Sequence, residues 1–290
     1  MHTNLPYLVN LPPFIFRGEN IDEYSLLKKI YFIIFGKFIS LVVNKTSKKL
    51  FCNIINLFFS DSDIYYENGY YIKKLNGNKI YFPNKRVLRL VKNPLLSLEK
   101  IYKTYCLDFI NFEQDDLIID CGANVGELNT AIKYFGYDLK YIGFEPDKKT
   151  YECLVKNDTS EQNEYYEIAL SNLSGQLNFY LDNEGGNSSL EDFGADEKVV
   201  VDTKKLDDYD FKNIKLLKID AEGHEPEVLV GALNTLNEIQ YISVDFGAER
   251  GIKQENTIPE VNNLLYSNNF ELVKFSKYRL IGLYKNKKLN

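Results

Sequence analysis

The 290-residue chain is long enough for one large domain, or for a domain with an extension. Hydrophobic residues make up 44% of it and charged residues 26%, which is ordinary for a soluble globular protein. Residues 1–113 hold 16 Lys and Arg against 9 Asp and Glu (net +7), and residues 114–290 hold 19 against 32 (net −13). The acidic part disfavours a nucleic-acid substrate, because phosphate neutralisation supplies most of that affinity.

The cysteines lie far apart without a C-x-x-C pair, and two histidines are too few to complete a zinc site. We therefore predict no zinc site and a reducing, cytoplasmic compartment. The first strongly apolar segment, residues 30–43, has 14 residues, which is short of the roughly 18 to 20 that cross a bilayer. Because of this short length we expect no transmembrane helix. The segment also begins too late for a signal peptide, so we expect none.

The first 60 residues are predicted to form a helical N-terminal extension. Residues 1–20 favour an irregular arm, residues 21–44 a helix, and residues 51–59 a second helical stretch after a lysine-rich break. A helix that is apolar on nearly all sides must be buried against the main domain, a second subunit or the membrane interface. The basic charge of residues 1–113 permits an anionic membrane surface or glycan, although a solvated lysine surface explains it equally well. The predicted partners are thus peripheral contact with the inner membrane face, or a homo-oligomer.

Residues 61–113 are predicted to be a second segment, with a hairpin and a lead-in helix. Two turn signals, Asn68-Gly69 and Asn76-Gly77, bound β-type runs at residues 70–74 and 79–82. Pro94 then opens a helix that ends near Cys106.

From Asp116 onward strands and helices alternate, which predicts right-handed βαβ units and a mostly parallel sheet over residues 114–290. The predicted strands are 117–121, 140–145, 164–170, 176–181, 198–202, 214–220, 241–246, 271–275 and 278–284. The predicted helices are 125–135, 147–157, 226–239 and 258–267.

The segment Asp116-Leu-Ile-Ile-Asp-Cys-Gly-Ala-Asn-Val-Gly126 reads as strand, turn and helix. Gly122 permits a sharp turn, and Asn124 with Glu127 resembles a capping box, so free amides would face a ligand above the strand. The spacing is not the G-x-G-x-x-G of dinucleotide sites. A carboxylate at Asp120 would repel a pyrophosphate but bond an ammonium group, so a cofactor that carries an amino acid, S-adenosyl-L-methionine, fits. The alternative is a turn before a buried helix.

Glu145 ends the next strand, 23 residues after Gly122. An acid at that tip can accept both hydroxyls of a ribose that lies across the sheet. The alternative is a charge favoured by the dipole of the next helix, but Asp147 already fills that role.

A third signal is the group of ionisable residues around the end of the strand at 214–220: Lys218, Asp220, Glu222, His224 and Glu225. Ligands bind beyond the carboxyl ends of strands in open α/β sheets. Three carboxylates repel one another there unless a cation is present, and a sulfonium supplies such a charge. The alternative is a solvated loop whose acids serve the dipole of the helix opened by Pro226.

With these motifs the chain resembles the FkbM family of class I S-adenosylmethionine-dependent methyltransferases. The shared motifs are Ile119-Asp-Cys-Gly-Ala-Asn-Val-Gly126, Phe144-Glu-Pro146, Ile168-Ala-Leu-Ser171 with Gly175, Ser188-Ser-Leu190, Leu206-Asp207, and Lys218-Ile-Asp-Ala-Glu-Gly-His-Glu225 with Leu229 and Gly231-Ala232. They span about residues 100–250. Asp245 stands where the family usually has Glu.

The resemblance implies a Rossmann-like, doubly wound, seven-stranded sheet with an antiparallel last strand. It also implies methyl transfer to a hydroxyl, often on a sugar of a surface glycan or natural product. The implied positions are Asp120, Gly122, Ala123, Asn124 and Gly126 for the methionine part, Glu145 and Pro146 for the ribose, Ala169 beside the adenine, and Asp220 and Glu222 at the reaction site.

His224 is the first candidate for a general base by its intrinsic pKa, with Asp220 or Glu222 next. Oxygen ligands for Mg²⁺ are available at Asp220, Glu222, Glu225 and Asp245, but no spacing demands a metal.

Two other functions compete with methyl transfer. A nicotinamide oxidoreductase is disfavoured by the missing third glycine, and a non-catalytic cofactor-binding protein by the acids at three strand tips. We expect the acceptor pocket to be shaped by residues 181–194 and the N-terminal third.

Overall fold

The computed structural model describes residues 11–182 and 188–289. Its contacts divide the chain into two units, Met1–Ser97 and Leu98–Asn290. The sequence-based domain boundaries after residues 60 and 113 stay predictions.

The first unit contains two helices, α1 (Leu26–Lys45) and α2 (Lys48–Phe58), and three strands, β1 (Ile64–Glu67), β2 (Tyr70–Leu75) and β3 (Asn78–Phe82). Within its described residues, short 3₁₀ turns lie at Pro13–Phe16, Ile21–Glu23 and Lys85–Leu90. The Ser25 side chain caps α1 by accepting a hydrogen bond from the Lys28 amide. Among the described residues no helix combines the length and the apolar character needed to cross a bilayer.

The predicted hairpin of β2 and β3 is confirmed, and β1 adds a third strand to it. β1, β2 and β3 form an antiparallel meander, and an Asn-Gly pair makes each of its turns. Asn68 and Gly69 both have positive φ, as do Asn76 and Gly77. Two consecutive left-handed residues match the right-handed twist of the flanking strands, which explains why Asn-Gly occupies both turns.

Helix α3 (Pro94–Thr104) runs from the first unit into the second. The second unit then contains helices α4 (Glu127–Tyr134), α5 (Lys148–Asn157), α6 (Glu225–Val230) and α7 (Ile258–Ser267). Its strands are β4 (Leu117–Cys121), β5 (Lys140–Phe144), β6 (Glu164–Tyr166), β7 (Ala169–Leu170), β8 (Gly175–Leu181), β9 (Glu197–Lys204), β10 (Ile214–Ile219), β11 (Ile239–Asp245), β12 (Phe270–Phe275) and β13 (Ile281–Asn286).

Seven of these strands form one sheet in the order β12-β13-β11-β10-β4-β5-β6. β4 pairs in parallel with both β5 and β10, whereas β13 is antiparallel to β11 and β12. The predicted fold class is therefore confirmed: a doubly wound, Rossmann-like sheet with an antiparallel last strand. The strand order reverses between β4 and β10, and such a switch point opens a crevice at the carboxyl ends of the strands.

The central strands are apolar because both faces of the sheet are covered. All five residues of β4 are buried. On one face Ile119, Phe144 and Ile219 pack in the same core as Val228 of α6 and Val261 of α7. Continuous apolar runs, rather than alternating ones, are what a parallel sheet of this kind requires.

One predicted strand, residues 164–170, is wrong because it divides into two. β6 continues the main sheet by pairing Tyr166 with Phe144. Ala169 and Leu170 instead pair with β9, in a separate sheet ordered β7-β9-β8. The change of partner occurs at Glu167 and Ile168, between the two strands.

The predicted helix at residues 226–239 is also too long. α6 ends at Val230, and a separate 3₁₀ turn follows at Thr235–Glu238. The carboxylate of Asp207 accepts hydrogen bonds from the backbone amides of Asn234 and Thr235, which satisfies a new helical start. A distant side chain therefore interrupts the helix, and the local pattern does not contain that information.

Candidate active site

Strand register brings the predicted acids to one edge of the sheet. Cys121, the last residue of β4, is level with Phe144 of β5 and Ile219 of β10. Gly122, Glu145 and Asp220 follow these residues directly, and Asp245 ends β11, which is parallel to β10. The side chains predicted to hold one ligand therefore emerge from neighbouring strand ends at the switch point.

Gly122 lies where two chain segments come very close together. Its φ is +76°, and a Cβ atom built on it would lie 2.1 Å from the backbone oxygen of Asp220. The amides of Gly122 and Ala123 both donate to the carbonyl oxygen of Phe144. Only glycine fits this turn, which is why the loop after β4 can lie directly beside the loop after β10.

The predicted capping box of Asn124 and Glu127 is wrong. The N-cap of α4 is Gly126, which has φ +81°. The Asn124 side chain accepts a hydrogen bond from the Val125 amide, and the Asn124 amide points to Glu145. Asn124 itself has φ +50°, a conformation that asparagine tolerates better than most residues, so it shapes the loop rather than capping the helix.

Glu145 connects two backbone segments. Its Oε2 accepts from the Asn124 amide at 2.9 Å, and its Oε1 accepts from the Asp147 amide at 2.9 Å. Burial raises the pKa of Glu145 to about 7, although both amide bonds act in the opposite direction. A carboxylate has about four lone-pair positions, so both oxygens can accept further hydrogen bonds. Asp147 caps α5 through the Thr150 amide, as predicted.

Asp120 forms a buried ion pair with Lys218, and sequence reasoning did not find this contact. Lys218 Nζ lies 2.8 Å from Asp120 Oδ1 and donates to the carbonyl oxygens of Cys121 and Gly122. The other oxygen of Asp120 accepts from the Tyr141 hydroxyl. Burial lowers the pKa of Lys218, but the Asp120 and Asp220 charges outweigh it, so the amine stays protonated. Lys218 thus ties the glycine loop to β10, and a contact of Asp120 with a cofactor stays a prediction.

Asp220 is at the centre of a polar network drawn from distant parts of the chain. Its Oδ2 accepts from the Tyr105 hydroxyl at 2.6 Å and lies 3.6 Å from Nη1 of Arg279. Arg279 Nη2 lies 2.8 Å from Asp245 and 3.4 Å from Glu249. Tyr105, Glu249 and Arg279 were not predicted, because no local motif surrounds any of them.

Glu222 joins this network, so carboxylates outnumber cations in it. Oxygens of Asp220, Glu222 and Glu249 all lie within 4.8 Å of one another. Burial and the Asp220 charge raise the pKa of both Glu222 and Asp245. The described residues thus place five carboxylates, counting Asp120, around the two cations Lys218 and Arg279. Such a site favours a ligand that carries positive charge.

Both ring nitrogens of His224 are engaged by the protein. Nε2 lies 2.9 Å from the hydroxyl of Ser171, and Nδ1 lies 2.8 Å from Oε1 of Glu191. The side chain is 8% exposed. His224 therefore connects the end of β7 and the segment around Glu191 to the turn after β10, and its role as a base stays a prediction.

Glu225 holds that turn in shape. Its Oε1 accepts from the amides of Ala221 and Gly223, and its Oε2 accepts from the Thr257 hydroxyl. Burial raises the pKa of Glu225 to about 7. With both oxygens used by the chain, Glu225 is not among the carboxylates grouped around Asp220.

The remaining predicted contacts are placed as follows. Ala169 is buried at the start of β7, and Pro146 directly follows Glu145. Part of the predicted acceptor loop, residues 183–187, lies outside the described residues. Beyond them, the Ser189 hydroxyl donates to the Glu222 carbonyl oxygen at 2.8 Å, so the Ser188-Ser-Leu190 motif lies against the candidate site.

The sheet topology and the acids at its switch point are those of an α/β protein of the class I methyltransferase type. A family model described as the methyltransferase FkbM domain matches residues 120–272. This is more than half of the chain, and the chain belongs to the FkbM family of methyltransferases.

Three curated relatives of this chain are described as methyltransferases. Methyltransferase sdnD of Sordaria araneosa is 27% identical over 61% of this chain and 82% of its own length. The 2-O-methyltransferase NoeI of Sinorhizobium fredii is 23% identical over 55% of this chain and 74% of its own. The hexuronic acid methyltransferase AglP of Haloferax volcanii is 25% identical over 47% of this chain and 58% of its own.

Proposed function

We propose that this methyltransferase uses S-adenosyl-L-methionine to methylate a hydroxyl group of a sugar, in a surface glycan or a natural product. The observation that carries the proposal is the excess of carboxylates at the switch point, with Asp220, Glu222, Asp245 and Glu249 around Arg279. A donor with a sulfonium and an ammonium group compensates that charge, whereas a pyrophosphate cofactor would add to it.

The residues present fit such a donor. The tight loop at Gly122 brings backbone close to the end of the sheet, and Glu145 has lone pairs left for a ribose diol. Asp120, by contrast, has both oxygens turned to Lys218 and Tyr141. We therefore propose that Asp120 acts through Lys218, which positions the glycine loop, and that the carboxylates around Asp220 balance the charge of the donor.

The bound donor would supply an electrophilic methyl group, and the chain would orient the acceptor and receive its proton. A sugar hydroxyl is barely ionised at neutral pH, so a base contributes about 10² to 10⁴ in rate. We assign this role to Glu222, because its raised pKa makes it a stronger base than an ordinary carboxylate and its carboxyl group lies in the cluster with Asp220 and Glu249. A cationic donor beside it favours the ionised form that a base needs.

The sugar acceptor is supported by the relatives. AglP is described as acting on a hexuronic acid and NoeI as a 2-O-methyltransferase. The proposal includes transfer of the methyl group to oxygen rather than to nitrogen or carbon. It also includes the cytoplasmic location that the spacing of the cysteines predicts.

The experiment has two arms. Calorimetry of the pure protein should detect binding of S-adenosylmethionine and S-adenosylhomocysteine but not of NAD(H), and a labelled-methyl screen should transfer label to surface-glycan precursors. Glu222→Gln should lower kcat by about 10² to 10⁴. The matched control is Asp210→Asn, because the Asp210 side chain is 92% exposed.

Each alternative has its own outcome. If His224→Ala lowered kcat by about 10² to 10⁴ while Glu222→Gln kept full activity, His224 rather than Glu222 would be the general base. Binding of NAD(H) would favour an oxidoreductase, and donor binding without transfer to any acceptor would favour a non-catalytic protein.

A further inference from the structure

The outer face of α1 carries a continuous stripe of exposed apolar side chains. Its members recur every three or four residues and are 41 to 80% exposed: Leu27, Ile30, Tyr31, Ile34, Phe38 and Leu41. This spacing places them on one side of a helix, over a length of roughly 21 Å. We call this set the α1 stripe.

The opposite side of α1 is already packed within the first unit. Gly36, Ile39 and Val42 are buried there, and a Cβ on Gly36 would lie 2.7 Å from a methyl group of Leu11. Core packing therefore explains one side of this helix and leaves the α1 stripe unexplained. Isolated exposed apolar residues are ordinary, but a contiguous face of this size marks an interaction surface.

The face continues onto α2. The rings of Phe38 and Phe58 meet edge to face with centroids 5.2 Å apart, and Phe58 is 43% exposed. Leu57, which precedes it, is 78% exposed. The apolar surface therefore spans two helices, which gives it width as well as length.

The charged side chains carried by α1 and α2 are all lysines. Residues 24–60 contain six lysines and no aspartate or glutamate: Lys28, Lys29, Lys37, Lys45, Lys48 and Lys49. Lys37 is exposed next to Phe38 of the α1 stripe. Lys45, Lys48 and Lys49 are exposed where α1 meets α2. Lysines of this kind extend their charge to a headgroup layer while their methylene stems lie on apolar surface.

We propose that the α1 stripe and its lysines dock the protein on an anionic lipid surface, with α1 lying in the plane of the interface. Apolar side chains then enter the boundary between headgroups and acyl chains, and the lysines contact phosphates. A second copy of this chain fits less well, because two such faces would bring lysines together without an acid in residues 24–60 to pair with them. The proposal does not depend on the methyl acceptor.

The test measures sedimentation of the full chain with vesicles of phosphatidylcholine alone and of phosphatidylcholine mixed with phosphatidylglycerol. Wild type should bind the mixed vesicles and weaken as salt is raised, since salt screens the lysines. Ile34→Gln with Leu41→Gln should weaken binding more than about 10-fold. Both side chains are exposed, at 65% and 58%, so this variant should keep the fold.

One further variant tests the contribution of the lysines, and another is the control for the apolar substitutions. Lys45→Glu with Lys49→Glu should abolish the preference for mixed vesicles. The matched control is Leu173→Gln with Ile252→Gln, at 58% and 76% exposure in the second unit, and it should bind like wild type.

Other outcomes would overturn the proposal. These are no binding to either vesicle, equal loss in the control variant, or a wild-type dimer in light scattering that Ile34→Gln with Leu41→Gln converts to a monomer. The last result would assign the stripe to a second copy.

Discussion

At the residue scale, Gly122 shows how one missing side chain assembles the site. Its backbone is left-handed, and the space where a Cβ would stand is filled by the Asp220 carbonyl oxygen. Glycine is thus needed twice, for conformation and for space. Gly136 separates the two needs, because it has φ +87° and nothing within 4 Å of its Cβ position.

We therefore expect Gly136→Ala to lower the free energy of unfolding by about 1 to 2 kcal/mol, the cost of a left-handed alanine. Gly122→Ala should cost clearly more and should also abolish binding of S-adenosylhomocysteine, because the loops after β4 and β10 must separate. Chemical denaturation and calorimetry measure the two effects. Equal costs in both variants would show that the close approach at Gly122 has no energetic weight.

Glu145 gives a prediction for pH. Burial raises its folded pKa to about 7 from an ordinary 4.5, so the folded protein holds a proton that the unfolded chain releases between these values. The stabilising contribution is complete below pH 4.5 and is lost as pH rises through 7. The loss is about 3 kcal/mol.

The measurement compares unfolding free energies of wild type and Glu145→Gln from pH 4.5 to 8. The free energy of unfolding of wild type should fall relative to that of the variant as pH rises from 4.5 to about 7. Above that pH the two free energies should change in parallel. Asp210→Asn, at an exposed position, should follow wild type throughout. Parallel wild-type and Glu145→Gln curves would contradict a raised pKa.

At the element scale, the central strands are joined by a buried charge pair as well as by their ladder. β4 supplies Asp120 and β10 supplies Lys218, and the lysine also reaches the glycine loop through two carbonyl oxygens. Removing one partner of such a pair leaves an uncompensated buried charge, which costs more than removing both.

Lys218→Met should accordingly lower the free energy of unfolding by about 3 to 5 kcal/mol. Adding Asp120→Asn to this variant should restore a large part of the loss, because the remaining charge is removed. Denaturant unfolding of the two single variants and the double variant tests the coupling. Additive losses would mean that the two residues act independently.

At the scale of the whole molecule, the two units differ in charge and in chemistry. Residues 24–60 carry the lysines and the exposed apolar stripe, and the seven-stranded sheet carries the acids. We propose that the first unit binds a lipid surface and the second binds a cationic donor. The electrostatic character of each unit matches its own proposed ligand.

Much of the second unit follows from sequence alone. The run Leu117-Ile-Ile and the helix at 258–267 were predicted with their observed bounds, because burial on both faces or on one helical stripe leaves a clear pattern. The acids at the strand tips were predicted as well, since their motifs are contiguous. The family resemblance rests on the same contiguous motifs.

Only the tertiary structure decided which side chains meet at the site. Tyr105 reaches Asp220 across 115 positions, and Arg279 approaches Asp220 and Asp245 from the segment between β12 and β13. The end of α6 and the division of residues 164–170 were likewise decided by distant partners. Local periodicity records how a segment is buried, whereas ion pairs and strand exchange depend on the register of strands far apart in the chain.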